Sequence, residues 1–137
     1  MEFMIKELNN CAQCSYSSEQ DPSIKATITD IFHPDKDKLP FTSGLVHFAI
    51  APYSRTAYCK LNSTYSLIFV TQGTGIVELD KKRHVLKKGT IFFIPAKTKK
   101  RFINESNETL ELVALEEPAF QIEDAEPQEK ISITPKQ

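Results

Sequence analysis

GTIFFIPAKTKKRFIN, residues 89–104, decides how this chain is read. Gly89 closes the turn Lys87-Lys88-Gly89, TIFFI is a short run of strand-forming residues, and Pro95, with no N–H to give a ladder, stops it. Working outward toward the N-terminus, Asp80-Lys81-Lys82 reverses the chain between GIVELD and RHVL. Gln72-Gly73-Thr74-Gly75 separates that hairpin from SLIFVT at 66–71. Further out, Val46, Phe48 and Ile50 alternate with Leu45, His47 and Ala49 until Pro52 ends the run, which puts the first three on a core face. On the other side, a polar turn at Glu105–Asn107 leads into the alternating strand TLELVAL, 109–115. Short strands at regular spacing, with no 3.6-residue period after Thr42, predict an all-β sandwich or barrel.

The ends are less regular. IKATITDIFHP reads as a strand on the barrel's edge, whereas NNCAQCSYSSEQDPS and HPDKDKLP read as loops rich in turn residues. The expected partition is an N-terminal loop region over 1–25, a barrel over 26–126 and a polar C-terminal tail over 127–137. That tail is expected to be mobile or to lie as an arm against a neighbour.

Composition narrows the class. At 137 residues, 40% apolar and 26% charged, the chain suits one soluble globular domain. No apolar run approaches bilayer length and the start MEFMIKELNN lacks a signal-peptide core, so the expectation is a cytoplasmic protein with no membrane contact. The net charge of -1 conceals a division: Lys81–Arg101 carries only basic charge and Glu105–Glu129 only acidic. The lysines read as solvated turn residues; with no recognition motif and no aromatic ladder between them, nucleic acid is not expected as a partner. Cys11 and Cys14 form a lone Cys-x-x-Cys, and Cys59 stands far from it. The three read as reduced and inert, with a metal on Cys11, Cys14 and a histidine left open. His33, His47 and His84 read as surface or packing residues.

The stretch from Gly89 resembles the second cupin motif: glycine, five residues, proline, x, glycine, two residues, histidine, three residues, asparagine. Gly89, Pro95 and Asn104 fall in register, with Lys97 at the second glycine and Lys100 at the metal-binding histidine. The first motif is glycine, five residues, His-x-His, three or four residues, glutamate, six residues, glycine. Counting back from Gly73 places it on Ser54, Lys60, Asn62 and Ser66. The segment Glu117–Glu126 is similar to the end of small one-domain, sugar-phosphate isomerase-like cupins.

The resemblance implies a cupin double-stranded β-helix, or jelly-roll barrel, and in the family three imidazoles and a carboxylate hold a metal inside it. Here the four positions offer two ammonium groups, an amide and a hydroxyl, which are poor donors for a divalent cation, so neither metal nor cofactor is expected. What the resemblance leaves is a mouth lined by Lys60, Asn62, Ser66 and Lys100. Two lysines there would bind a small anionic molecule, a sugar phosphate or an organic acid. Two alternatives stand beside this. One is a metal-independent isomerase or lyase of sugar derivatives, using a lysine as base or Schiff-base nucleophile, although no partner carboxylate stands at a matched position. The other is a ligand-free dimerisation module, with Leu45, His47, Ala49 and Ile131–Thr134 supplying the contact. A homodimer is expected in any case.

Overall fold

Two antiparallel sheets enclose one core, and the computed structural model describes them over residues 1–135. The larger sheet contains β1 (Ala12–Ser17), β2 (Lys25–Phe32), β3 (Gly44–Ile50), β6 (Tyr65–Gln72), β9 (Ile91–Ile94), β11 (Leu110–Glu117) and β13 (Ser132–Pro135), in the order β13-β1-β2-β3-β11-β6-β9. The smaller contains β5 (Cys59–Leu61), β7 (Thr74–Leu79), β8 (Lys82–Lys87), β10 (Lys99–Asn104) and β12 (Ala125–Pro127), in the order β12-β5-β10-β7-β8. The short β4 (Ser54–Arg55) pairs with β10 beside it. This is the all-β sandwich expected from the strand spacing, in the jelly-roll arrangement that the resemblance implies. Among the described residues, no helix is long and apolar enough to cross a membrane.

Period-two burial drives the packing. In β6, Ser66, Ile68 and Val70 point inward while Tyr65, Leu67 and Phe69 point out; in β11, Leu110, Leu112, Ala114 and Glu116 point inward. Their apolar members meet Val77, Leu86 and Phe102 of the opposite sheet in one buried cluster. Val46 and Ile50 are buried as the alternation predicts, with Phe48 partly buried against the cluster. Gly73 is at φ 85°, and a Cβ there would lie 2.6 Å from the Thr109 carbonyl oxygen, so only glycine fits this turn.

Asn104 explains why an asparagine ends the motif. Its side-chain amide donates to the carbonyls of Ile50, Ala51 and Glu108 at 3.0, 3.2 and 2.7 Å. Its Oδ1 accepts from the Ser106 N–H and hydroxyl at 3.0 and 2.8 Å. One side chain, 1% exposed, thus ties the β10–β11 turn to the end of β3.

Both chain ends depart from expectation. Residues 12–17, read as loop, form β1, and the tail beyond 127 contains β13, which pairs with β1 from Cys14↔Pro135 to Ser17↔Ser132. Within the Ile131–Thr134 segment, β13 from Ser132 onward joins the chain's own sheet as its outermost strand; Lys136 and Gln137 of the expected tail lie outside the described residues. The physical reason is tertiary. β1 has little apolar content of its own, but β2 on one side and β13 on the other satisfy its backbone.

The C-terminal arm after β11 folds back over the open end of the barrel. Glu129 anchors it, accepting from Arg55 at 2.8 and 2.7 Å and from the Tyr58 N–H at 2.8 Å, while Arg55 also reaches Asp21 at 2.8 Å. His33 pins its start. Nδ1 accepts from the Asp35 N–H at 3.1 Å, so Nε2 holds the proton and donates to the Phe120 carbonyl at 3.1 Å. His47, opposite the core face, is buried against Glu111 at 3.0 Å, and His84 is exposed on β8, so the three histidines serve packing or surface.

Candidate functional site

Between the sheets and beneath the arm lies a cavity of about 370 Å³. Its wall is mostly apolar: Ile28 and Val46 from the large sheet, Leu61 and Phe102 from the small one, Phe120 and Ile133 from the arm and tail. Few polar side chains enter it, chief among them Lys100, Glu116, Cys59 and Tyr16. An apolar chamber with a few polar groups is the usual character of a small-molecule site.

Lys100 enters from β10, directly across the ladder from Cys59 of β5. Among the described residues, its ammonium has no hydrogen bond and no carboxylate within 4.0 Å. No fully enclosed side-chain nitrogen or oxygen lacks a partner there, so this amine faces the cavity space. Burial pushes its pKa below the usual lysine value, while Glu116 and Cys59 pull it back up.

Glu116 enters from β11 opposite Ser66 of β6 and is 4% exposed. Its pKa is pushed up to about 7, chiefly by burial, with the Lys100 charge opposing, Asp30 adding and the Ser66 hydroxyl lowering. Burial likewise raises the Cys59 thiol and pushes Tyr16 up to about 12, so both keep their protons at neutral pH. The chamber therefore holds the Lys100 amine, a carboxyl poised between its two forms at pH 7, the Lys36–Asp30 ion pair at 3.0 Å, and neutral donors on Cys59 and Tyr16.

Of the four residues expected at the site, Lys100 lines the cavity, Ser66 is buried behind it against the Glu116 carboxyl, and Lys60 and Asn62 lie outside. Lys60 pairs with Glu126 at 3.2 Å, and Asn62 donates to the Glu126 carboxylate at 3.0 Å and the Asp124 carbonyl at 3.2 Å. Both fasten the arm from outside. The error is a register slip of one residue, which in a strand exchanges faces. With four residues instead of three before the glutamate position, the first motif falls on Tyr53, Cys59, Leu61, Ser66 and Gly73, and Cys59 and Leu61 do line the cavity. The backbone agrees: Tyr53, at the motif's glycine, adopts φ 54°, and Lys97, at the second motif's glycine, φ 68°. Both positions hold left-handed turns without a glycine.

Glu116 was missed, yet its signal was present, since the alternation 110, 112, 114 extended by one step places it inward. It lies outside both motifs, and it supplies the cavity with a carboxyl that no motif position carries.

The positions of the family's metal ligands thus hold a thiol, an isobutyl group, a hydroxyl and an ammonium, on Cys59, Leu61, Ser66 and Lys100. That set does not fit a transition metal: only the thiol is a competent donor, and an ammonium repels the ion. Among the described residues, no three His, Cys, Asp or Glu side chains are grouped to hold one elsewhere. The Cys-x-x-Cys pair is divided, with Cys14 on the cavity wall and Cys11 in a separate surface depression beside Lys6 and Asp37.

Comparison with known proteins agrees with the architecture. A family profile described as "Cupin domain" matches residues 46–116. An uncharacterized protein of Methanocaldococcus jannaschii is 26% identical over 99 residues, covering 72% of this chain and 78% of its own. A predicted oxalate decarboxylase from Thermotoga maritima superposes with a TM-score of 0.69 at 13% identity, over 82% of this chain and 97% of its own. A sugar phosphate isomerase of a cupin superfamily from Silicibacter pomeroyi superposes with a TM-score of 0.68 at 13% identity, over 82% of this chain and 74% of its own. At these identities the structural likenesses speak for the fold alone. With the profile covering both motif regions and the barrel formed as they require, this chain belongs to the cupin-domain family.

Proposed function

We propose that this cupin-domain protein binds a small organic acid with a compact apolar body in its barrel, without a transition metal, and that Lys100 receives the carboxylate. The observation that carries this reading is an unpartnered ammonium facing an apolar chamber of about 370 Å³. A carboxylate there gains a charge-assisted hydrogen bond in a medium of low dielectric, and Glu116 in its acid form adds a donor. A sugar phosphate suits the chamber less well. Its charge and hydroxyl groups need many donors, and the second lysine expected for it, Lys60, is outside. The three cysteines are free, which supports a reducing, cytoplasmic setting.

The test is thermal stability of the full chain against hexanoate, benzoate and a set of sugar phosphates, beside elemental analysis. A carboxylate at a hundred times its dissociation constant should add about 2.7 kcal/mol, a shift of several degrees. Lys100→Met should abolish the shift and Lys60→Ala should leave it intact. Stoichiometric metal, or a response to sugar phosphates that depends on Lys60, would overturn the reading. A metal-independent isomerase or lyase is favoured as the second reading by Glu116, which places a titratable carboxyl in the same chamber as an amine.

We further propose that two copies pair through the outer face of β6 and β9, instead of the Leu45, His47, Ala49 and Ile131–Thr134 contact anticipated from sequence. Leu67, Phe69, Ile91, Phe93 and Leu115 are 42% to 66% exposed, and adjacent through the pairings Leu67↔Phe93, Phe69↔Ile91 and Leu115↔Leu67. Tyr65 stacks on Phe93 at 6.1 Å between centroids. The outward positions of β9 and the middle of β6 carry no charge to oppose self-association, and β9 ends the sheet with an open edge. Light scattering should give a dimer mass for the full chain and a monomer mass for Phe93→Lys with its fold retained. A monomer before substitution would overturn the pairing.

A further inference from the structure

We propose that Lys100 is a carbonyl-condensing amine: it forms an imine with the aldehyde or ketone group of a small apolar-bodied substrate seated in the cavity, and Glu116 carries the protons for that step. The proposal rests on the cavity being the ligand site argued above, and adds covalent chemistry to it.

The placement of groups supports this. The Lys100 amine has no hydrogen-bond or ion-pair partner among the described residues and faces the chamber, so its lone pair, once free, is available to a bound electrophile. Phe48, Leu61 and Phe102 line the chamber, a surface that holds a hydrocarbon body and disfavours a charged amine. Glu116 enters the same chamber from the opposing sheet, close enough for its charge and that of Lys100 to influence each other's ionisation. The other titratable groups facing the space are Cys59, Cys14, Tyr16, Asp30 and Lys36. Of these, Cys59 and Tyr16 stay protonated at neutral pH, and Lys36 is exposed and paired with Asp30 at 3.0 Å, so Lys100 is the unpaired amine of the space and Glu116, 4% exposed, its buried carboxyl.

The step balances without a redox partner. The amine lone pair forms the C–N bond as the C=O π pair moves onto oxygen, which takes a proton from the Glu116 carboxyl. The resulting carboxylate accepts a proton from the nitrogen, completing a neutral carbinolamine. A second proton transfer through the same carboxyl lets the C–O bond break, and water leaves as the C=N bond forms. Both amine protons end in that water, and Glu116 is returned to its starting form. The burial that holds its pKa near 7 suits it to give and take a proton at neutral pH.

The experiment is a short exposure of the full chain to hexanal with sodium cyanoborohydride at pH 7, which reduces an imine to a stable amine, followed by peptide mapping. Lys100 should be the first and dominant site among the 14 lysines, ahead of every surface lysine. Hexanoate, which cannot condense, should suppress labelling at Lys100 and leave surface sites unchanged. Glu116→Gln should slow labelling at Lys100 and flatten its pH profile, while hexanoate still stabilises the variant. The site map is read on the unaltered chain, so it holds even if a substitution at Lys100 fails to fold. Labelling spread evenly over surface lysines, with hexanoate still stabilising the protein, would overturn the imine and leave the binding site standing. Even labelling with no response to hexanoate would remove both.

Discussion

Asn104→Ala should lower stability to chemical denaturation by about 3 kcal/mol and the melting temperature by about 10 °C. The loss is large because one side chain serves five partners. Without its amide, the Ile50, Ala51 and Glu108 carbonyls lose a shared donor, and Ser106 loses the acceptor for both its N–H and its hydroxyl. Water does not readily replace a group that is 1% exposed. Asn104→Asp separates this account from simple loss of packing. The aspartate keeps the acceptor for Ser106 but turns a second oxygen toward three carbonyls, so it should be at least as damaging as alanine despite its matching shape. An aspartate variant as stable as the unaltered chain would show that the amide donors contribute nothing.

Stability should also decline as pH rises from about 4.5 to about 7, and Glu116→Gln should remove most of that decline. Burial pushes the carboxyl up to about 7 in the folded chain, against the ordinary glutamate value of 4.5. Between those values the folded state keeps a proton that the unfolded chain has released. The group's contribution is therefore complete below about 4.5 and is lost as pH passes through 7, by an amount on the order of 3 kcal/mol. The Lys100 charge lowers this pKa and the Asp30 charge raises it, so Lys100→Met should move the decline to higher pH. Urea denaturation of the unaltered chain and Glu116→Gln at several pH values measures the difference. Parallel curves for the two would mean that Glu116 is solvated in the folded protein. Carboxylate ligands should accordingly bind more tightly below pH 7, where Glu116 is a donor instead of a competing anion.

Much of the barrel was legible because its motif residues answer to the backbone. Gly73 occupies a turn with no room for a side chain, Pro95 follows a strand that it ends, and Asn104 ties a turn together; each requirement is local and survives wide divergence. The site was legible only in part. Spacing from Gly89 placed Lys100 at the cavity wall, and spacing from Gly73 placed Ser66 beside Glu116, whereas Lys60 and Asn62 depended on a loop that tolerates one residue more or less. In a strand, that single residue decides between cavity and solvent. Tyr53 and Lys97 could not announce their turns, since neither residue type predicts a left-handed backbone. β1 was invisible for another reason: what makes Ala12–Ser17 a strand is β2 and a segment near the far end of the chain, not its own composition.

That last pairing bears on the order of events during synthesis. Cys14 is made 121 residues before its partner Pro135 (135 minus 14). One edge of β1 must wait for all the strands between them, and contacts of such sequence separation form slowly because the intervening segment has to be ordered first. The chamber is then a late product of folding, with the two sheets able to collapse while the side closed by the arm and β13 still stands open. The organic acid proposed above would have its easiest entry in that interval, and once inside it would be enclosed by β13.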